Sequence, residues 1–182
     1  MDHADHVALL RAGVAVAGGT WADIGAGTGA FTLALADLLG PGGRILAVDR
    51  DSRALRQNRE AVQARFPEIE VETVVGDFAR ELDLPVLDGI VAANSLHFLP
   101  SPTQVQAVNA LAGHLRPDGR FLVVEYDTDR GNPWVPHPFS YESWEQTAAR
   151  AGLEWTELLG RVPSRFLGAI YAASSRRPPG FG

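Results

Sequence analysis

Apolar positions along the chain fall into two patterns. Short apolar runs at 45–48, 90–93 and 121–124 show little alternation, as expected of strands buried on both faces of a parallel sheet. Between them apolar residues recur at helical spacing, as in Phe31, Leu35 and Leu38, or Leu55, Val62 and Phe66, or Val105, Val108, Ala112 and Leu115. The pattern predicts strands at 20–25, 44–49, 70–75, 89–94 and 121–126, separated by helices except between the third and fourth. A short amphipathic helix at 5–17 precedes the first strand.

Local signals set the boundaries. Gly40-Pro41-Gly42-Gly43 stops one helix, and Asp51 or Ser52 caps the next, which Pro67 closes. Ser101-Pro102-Thr103-Gln104 reads as a capping box with proline at the first helical position. Ser140 caps the last helix, with Phe139 and Trp144 spaced as a hydrophobic staple. Two β-like segments, 155–162 and 166–175, follow with no helix between them and so predict an antiparallel hairpin. The expected fold is a doubly wound α/β sheet, mostly parallel, with an antiparallel strand added at one edge. One domain spans 1–175, and 176–182 is expected to be a disordered tail.

Composition narrows the chemistry. The 182 residues contain no cysteine, which excludes disulfides, thiolate metal sites and cysteine nucleophiles. All sixteen basic residues are arginine, so Schiff-base lysines and a P-loop lysine are absent. A net charge of −6 argues against a nucleic-acid backbone as partner. No window has the roughly 20 apolar residues of a membrane span, and no export signal is evident, which favours the cytoplasm. An Asp127-x-Asp129 metal site lacks further ligands nearby, and no metal is expected.

The chemistry concentrates where the first strand meets its helix, in Asp23-Ile24-Gly25-Ala26-Gly27-Thr28-Gly29-Ala30. Glycines let backbone approach a ligand, and the helix N-terminus offers unpaired N–H groups. A nucleotide-like ligand follows. Gly25-x-Gly27-x-x-Ala30 satisfies the dinucleotide fingerprint, with Asp49 at the expected spacing, but that fingerprint has no place for Asp23.

The whole order resembles the class I, Rossmann-like S-adenosylmethionine-dependent methyltransferases over residues 20–175. Asp23 to Gly29 looks like the family's D/E-x-G-x-G-x-G motif, and Asp49 sits where the family binds the ribose hydroxyls. Gly76-Asp77-Phe78 resembles its adenine-contacting segment, and Asn94-Ser95-Leu96-His97-Phe98 the segment lining the methionine end and the acceptor. Leu115-Arg116-Pro117-Asp118-Gly119 is similar to its L-x-P-G-G turn, with Asp118 replacing a glycine, and the hairpin completes a seven-stranded topology. The resemblance implies S-adenosyl-L-methionine as cofactor and S-adenosyl-L-homocysteine as product. It implies cofactor contacts from Asp23, Gly25, Ala26, Gly27, Thr28, Gly29, Asp49, Arg50, Asp77, Phe78, Asn94 and Ser95. The physics agrees: Asp23, Asp49, Asp77 and Asn94 end successive strands and converge on one crevice, where acids suit a sulfonium and an ammonium but would repel a pyrophosphate.

On the acceptor side, His97 is the candidate base, and His97, Glu125, Tyr126, Asp127 and Trp134 are the candidate substrate contacts. Trp134 lies in a proline-stiffened segment at 127–139 that has the character of a lid. The lack of an N-P-P-aromatic signature and of cysteine favours a small-molecule acceptor over nucleic acid, and a homodimer would supply missing pocket walls. The rival readings are a nicotinamide-dependent oxidoreductase and a non-catalytic cofactor-binding protein.

Overall fold

Neighbouring residues in the central strands serve two different cores, which is why the strands read as unbroken apolar runs. In the computed structural model, which describes residues 1–180, Ile90 and Ala92 pack with Val108, Leu111 and Trp144 on one face of the sheet. Val91 and Ala93, one position along, pack with Leu10, Phe31 and Leu35 on the other. The period is two, as in any strand, but both phases are apolar.

The elements run α1 (His3–Arg11), β1 (Gly19–Ile24), α2 (Ala30–Leu39), β2 (Gly43–Asp49), α3 (Ser52–Arg65), β3 (Glu70–Val75) and β4 (Leu87–Ala93). A single 3-10 turn, Leu96–Phe98, precedes α4 (Ser101–Ala112), β5 (Leu115–Tyr126), α5 (Tyr141–Arg150), β6 (Glu154–Ser164) and β7 (Gly168–Arg176). The seven strands are ordered β3-β2-β1-β4-β5-β7-β6. β1 to β5 pair in parallel, and β7 is antiparallel to both β5 and β6. The antiparallel strand is therefore the inserted β7, and β6 forms the edge. The order reverses direction between β1 and β4, the switch point at which open α/β sheets bind ligands.

Several local expectations change. α1 is shorter than the predicted 5–17: Asp2 and Asp5 form a capping box, and the helix ends before Gly13. A Cβ at Gly13 would lie 2.5 Å from Leu122, so the chain turns there against the sheet. The Ser101–Gln104 capping box does not form. Pro100 is the N-cap, and Gln104 turns inward to donate to the carbonyls of Leu99 and His137, each at 2.9 Å. The staple does form, with Phe139 and Trp144 ring centres 5.9 Å apart. The predicted tail begins too early, because Arg176 belongs to β7 and Arg177 exchanges backbone hydrogen bonds with Asp118 and Gly119. Residues 181–182 lie outside the described residues.

Candidate active site

The β1–α2 loop is held by backbone. The Gly25 and Ala26 N–H groups donate to the Val48 carbonyl at 2.8 and 3.0 Å, pinning the loop to β2. Gly25 has φ +73°, and a Cβ there would sit 2.4 Å from the Ser95 Cβ. Only glycine fits both constraints. Ala26 is buried with Ala47 and Leu55 beneath the loop, whereas Thr28 is exposed.

Asp49, at the end of β2, ties the loop to the next turn. Its carboxylate accepts from the Gly27 N–H and the Asp51 N–H, each at 2.9 Å. The α3 N-cap is Asp51, so Asp49 has no capping duty to explain it. Asp49 and Arg50, with Gly76, Asp77 and Phe78 after β3, form one wall of a crevice of about 280 Å³. Gly25, Asn94 and Ser95 line it as well.

Asp23 is not in that crevice. Its carboxylate is 1% exposed and accepts from the Thr32 hydroxyl at 2.6 Å. Asn58 of α3 donates to the same hydroxyl at 2.7 Å and also to the Gly27 carbonyl at 3.4 Å. Burial pushes the Asp23 carboxyl up to about 7, with the Thr32 bond pulling it back and the Asp49 charge adding to the rise. Asp23, expected as a direct cofactor contact, lies outside the crevice lining and is linked to the loop through Thr32 and Asn58. Sequence reading missed Asn58, though its signal was present as a polar residue on the Leu55–Val62 apolar stripe.

Asn94 stands at φ +51°, unusual for a side-chain-bearing residue, and is held there by donating its N–H to the Val124 carbonyl at 2.8 Å. Its Oδ1 and the Ser95 Oγ are buried with no hydrogen-bond partner among the described residues. Asn94 also lines a second cavity, shared with His97, Tyr126, Trp134, Val135 and Phe166. Two cavities thus meet at one strained residue.

Behind the second cavity lies a buried acid. Glu125 has no exposed surface, and its carboxylate accepts from the Tyr126 N–H at 2.8 Å. His97, 3% exposed, places Nδ1 2.8 and 2.9 Å from its two oxygens. This pairing occupies Nδ1 and leaves Nε2 without a hydrogen-bond partner among the described residues. Glu125, expected as a substrate contact, is placed behind the cavity lining against His97.

Tyr126 does line the cavity, its ring centre 6.1 Å from that of His97. Burial and then the Glu125 charge push its hydroxyl above the ordinary range, so it stays a neutral phenol. Asp127, expected to touch substrate, instead pairs with Arg161 at 2.7 Å and accepts from the Tyr141 N–H at 3.0 Å. It ties β5 to α5 and β6.

The 127–139 segment is anchored by the His137 N–H on the His97 carbonyl at 3.0 Å. It is also anchored by Asp129, which accepts from the backbone and hydroxyl of Ser140. Burial opposes ionisation of Asp129, but those bonds and one from Ser143 prevail and hold its carboxyl below the usual range. Trp134 and Phe166 stand at the cavity mouth, each 81% exposed. Phe166, in the β6–β7 turn, is not marked in the sequence because nothing local shows a turn residue facing a cavity built from distant segments.

A family model described as a methyltransferase domain matches residues 22–119. The chain belongs to the class I, S-adenosylmethionine-dependent methyltransferase family. A curated relative from Thermoplasma volcanium, a probable cobalt-precorrin-6B C(15)-methyltransferase (decarboxylating), is 37% identical over 71 residues. That match spans 39% of this chain and only 35% of the relative. Among solved structures, the 1,6-didemethyltoxoflavin-N1-methyltransferase of Burkholderia thailandensis, with 1,6-didemethyltoxoflavin and S-adenosylhomocysteine bound, aligns with a TM-score of 0.76. It is 22% identical, covering 97% of this chain and 78% of that one. The magnesium protoporphyrin IX methyltransferase of Synechocystis, with S-adenosylmethionine bound, aligns at 0.74 and 15% identity over 96% and 77% of the two chains.

This methyltransferase fold carries features that suit the family's cofactor. Gly25 leaves a cradle that a Cβ would fill, and the unpartnered Asn94 Oδ1 and Ser95 Oγ sit beside it, acceptors suited to an ammonium or hydroxyl. Among the described residues no group of three His, Asp or Glu side chains is placed to share a metal ion. Nor is any helix long and apolar enough to cross a membrane.

Proposed function

We propose that this chain transfers a methyl group from S-adenosylmethionine to a small-molecule acceptor held between Asn94, His97, Tyr126 and Trp134. The observation that carries this reading is the junction at Asn94, the residue that lines both the glycine-loop crevice and the aromatic cavity. Asp49 would hold the ribose hydroxyls, Asp77 and Phe78 the adenine, and Gly25 to Gly29 with Asn94 and Ser95 the methionine end. Arg50 closes the adenosine side. The sulfonium supplies an activated methyl group and its own leaving group. The chain's residues then have to exclude water and align the acceptor, and a near-attack separation of roughly 3–3.5 Å contributes much of the acceleration. The names of the Thermoplasma and Burkholderia enzymes place both on small molecules, in keeping with an aromatic cavity and a net charge of −6.

Thermal shift tests the cofactor half of the reading. S-Adenosylhomocysteine at 100 times its dissociation constant should stabilise the protein by about 2.7 kcal/mol, with no shift from NADH. Stabilisation by NADH alone would contradict the proposal.

A further inference from the structure

We infer that the methyl acceptor is a flat aromatic hydroxyl compound, and that His97, oriented by Glu125, takes its proton as the methyl arrives. This rests on the methyl-transfer reading of the site and names its substrate class. Tyr126, Trp134 and Phe166 surround the cavity, and large aromatic walls favour a planar ligand. The other residues lining it are Asn94, His97, Asn132 and Val135. None is an acid or an arginine, so the cavity offers no carboxylate to an ammonium and no guanidinium to a carboxylate. A neutral nucleophile that sheds a proton during attack fits this lining.

His97 is placed to receive that proton. Its Nδ1 is committed to Glu125 at 2.8 Å, and its Nε2 has no hydrogen-bond partner among the described residues. The imidazole packs against Phe98, ring centres 4.3 Å apart, which fixes its plane. The groups facing it from neighbouring elements are Glu125 and Tyr126 of β5 and the His137 backbone of the 127–139 segment. Glu125 touches no ligand and is a positioning residue: its carboxylate selects the tautomer and compensates the imidazolium that forms.

The step balances without another reactant. The O–H proton passes to His97 Nε2, the oxygen lone pair forms the new O–CH₃ bond, and the sulfur keeps the electron pair of the broken bond. The products are an aryl methyl ether, neutral S-adenosylhomocysteine and an imidazolium that returns its proton to water. A phenol, ionising near 10, lies within reach of an imidazole base in the transition state.

The test compares 2-naphthol, 2-naphthylamine and 4-nitrophenol, the last largely ionised at pH 8, by release of S-adenosylhomocysteine. The wild type should methylate 2-naphthol and not 2-naphthylamine. His97→Gln should lower kcat on 2-naphthol by roughly 10²–10⁴-fold, yet cost 4-nitrophenol less than about tenfold, because that acceptor brings no proton. Glu125→Gln should lower kcat on 2-naphthol by roughly 10–100-fold and move the acidic limb of its pH profile. Calorimetry supplies readouts apart from turnover. S-Adenosylhomocysteine should bind both variants as it binds the wild type, and 2-naphthol should bind the wild type more tightly than Phe166→Ala. Equal losses on the two phenols in His97→Gln would reduce the dyad to a structural pair. Turnover of the amine alone, or none of 2-naphthol by protein that binds S-adenosylhomocysteine, overturns the acceptor class. Failure of the wild type to bind S-adenosylhomocysteine instead strikes the methyl-transfer reading itself.

Discussion

The two cavities that meet at Asn94 are built by different means. The crevice over β1, β2 and β3 is a backbone structure, with Gly25 and Ala26 pinned to Val48 and Gly27 to Asp49. The cavity over β4 and β5 is a side-chain structure, with one buried dyad and exposed aromatics on separate segments. Each half also buries one carboxylate, and the partners differ. Asp23 is met by a single hydroxyl, Glu125 by an imidazole nitrogen and a backbone N–H. An invariable ligand suits a rigid backbone cradle, whereas acceptor choice suits walls that can be exchanged residue by residue.

The difference between the carboxylates predicts the largest effect. Asp23 has a folded-state value of about 7 against 3.8 when unfolded, so the folded protein holds a proton that the unfolded chain releases. The resulting stability is fully present below the unfolded value and declines as pH rises through the folded one. Between pH 4 and 8 the wild type should lose up to ~4 kcal/mol relative to Asp23→Asn, measured by urea unfolding at each pH. Parallel pH profiles for the two proteins would show that Asp23 does not hold its proton in the folded state.

Next in size is the backbone cradle. Gly25→Val adds a Cβ 2.4 Å from Ser95 at φ +73° and should weaken S-adenosylhomocysteine binding by ~100-fold or more, with the circular dichroism spectrum retained. Wild-type affinity in calorimetry would mean that the loop does not cradle the ligand. The smallest effect belongs to the exchangeable wall. Trp134→Ala should raise the acceptor KM by roughly 5–10-fold, the cost of one aromatic contact, and leave kcat nearly unchanged. A fall in kcat at constant KM would make Trp134 part of the alignment.

The same contrast governed what the chain revealed as sequence. The strand-end positions of Asp49, Asp77 and Asn94 were legible because glycines, apolar runs and caps are local signals. The dyad was not, because His97 and Glu125 are 28 residues apart and meet only once β4 pairs with β5. Position at a strand end does not reveal which side of the sheet Glu125 faces, and local signals alone set it beside Tyr126 and Asp127. The Asp127 pairing is hidden for a similar reason, since its partner Arg161 follows α5 in the chain. Gln104 followed its capping-box spacing in sequence but was drawn inward by the tertiary carbonyls of Leu99 and His137.

One calorimetric series bears most directly on the division into a cofactor half and an acceptor half: S-adenosylhomocysteine titrated into wild type, Asp49→Ala and Trp134→Ala. Removing Asp49 takes away the acceptor for two backbone N–H groups and the proposed ribose contact, and should weaken binding by ~10–100-fold. Trp134→Ala should bind as tightly as the wild type. Equal affinity in all three proteins, or a loss confined to Trp134→Ala, would contradict the account.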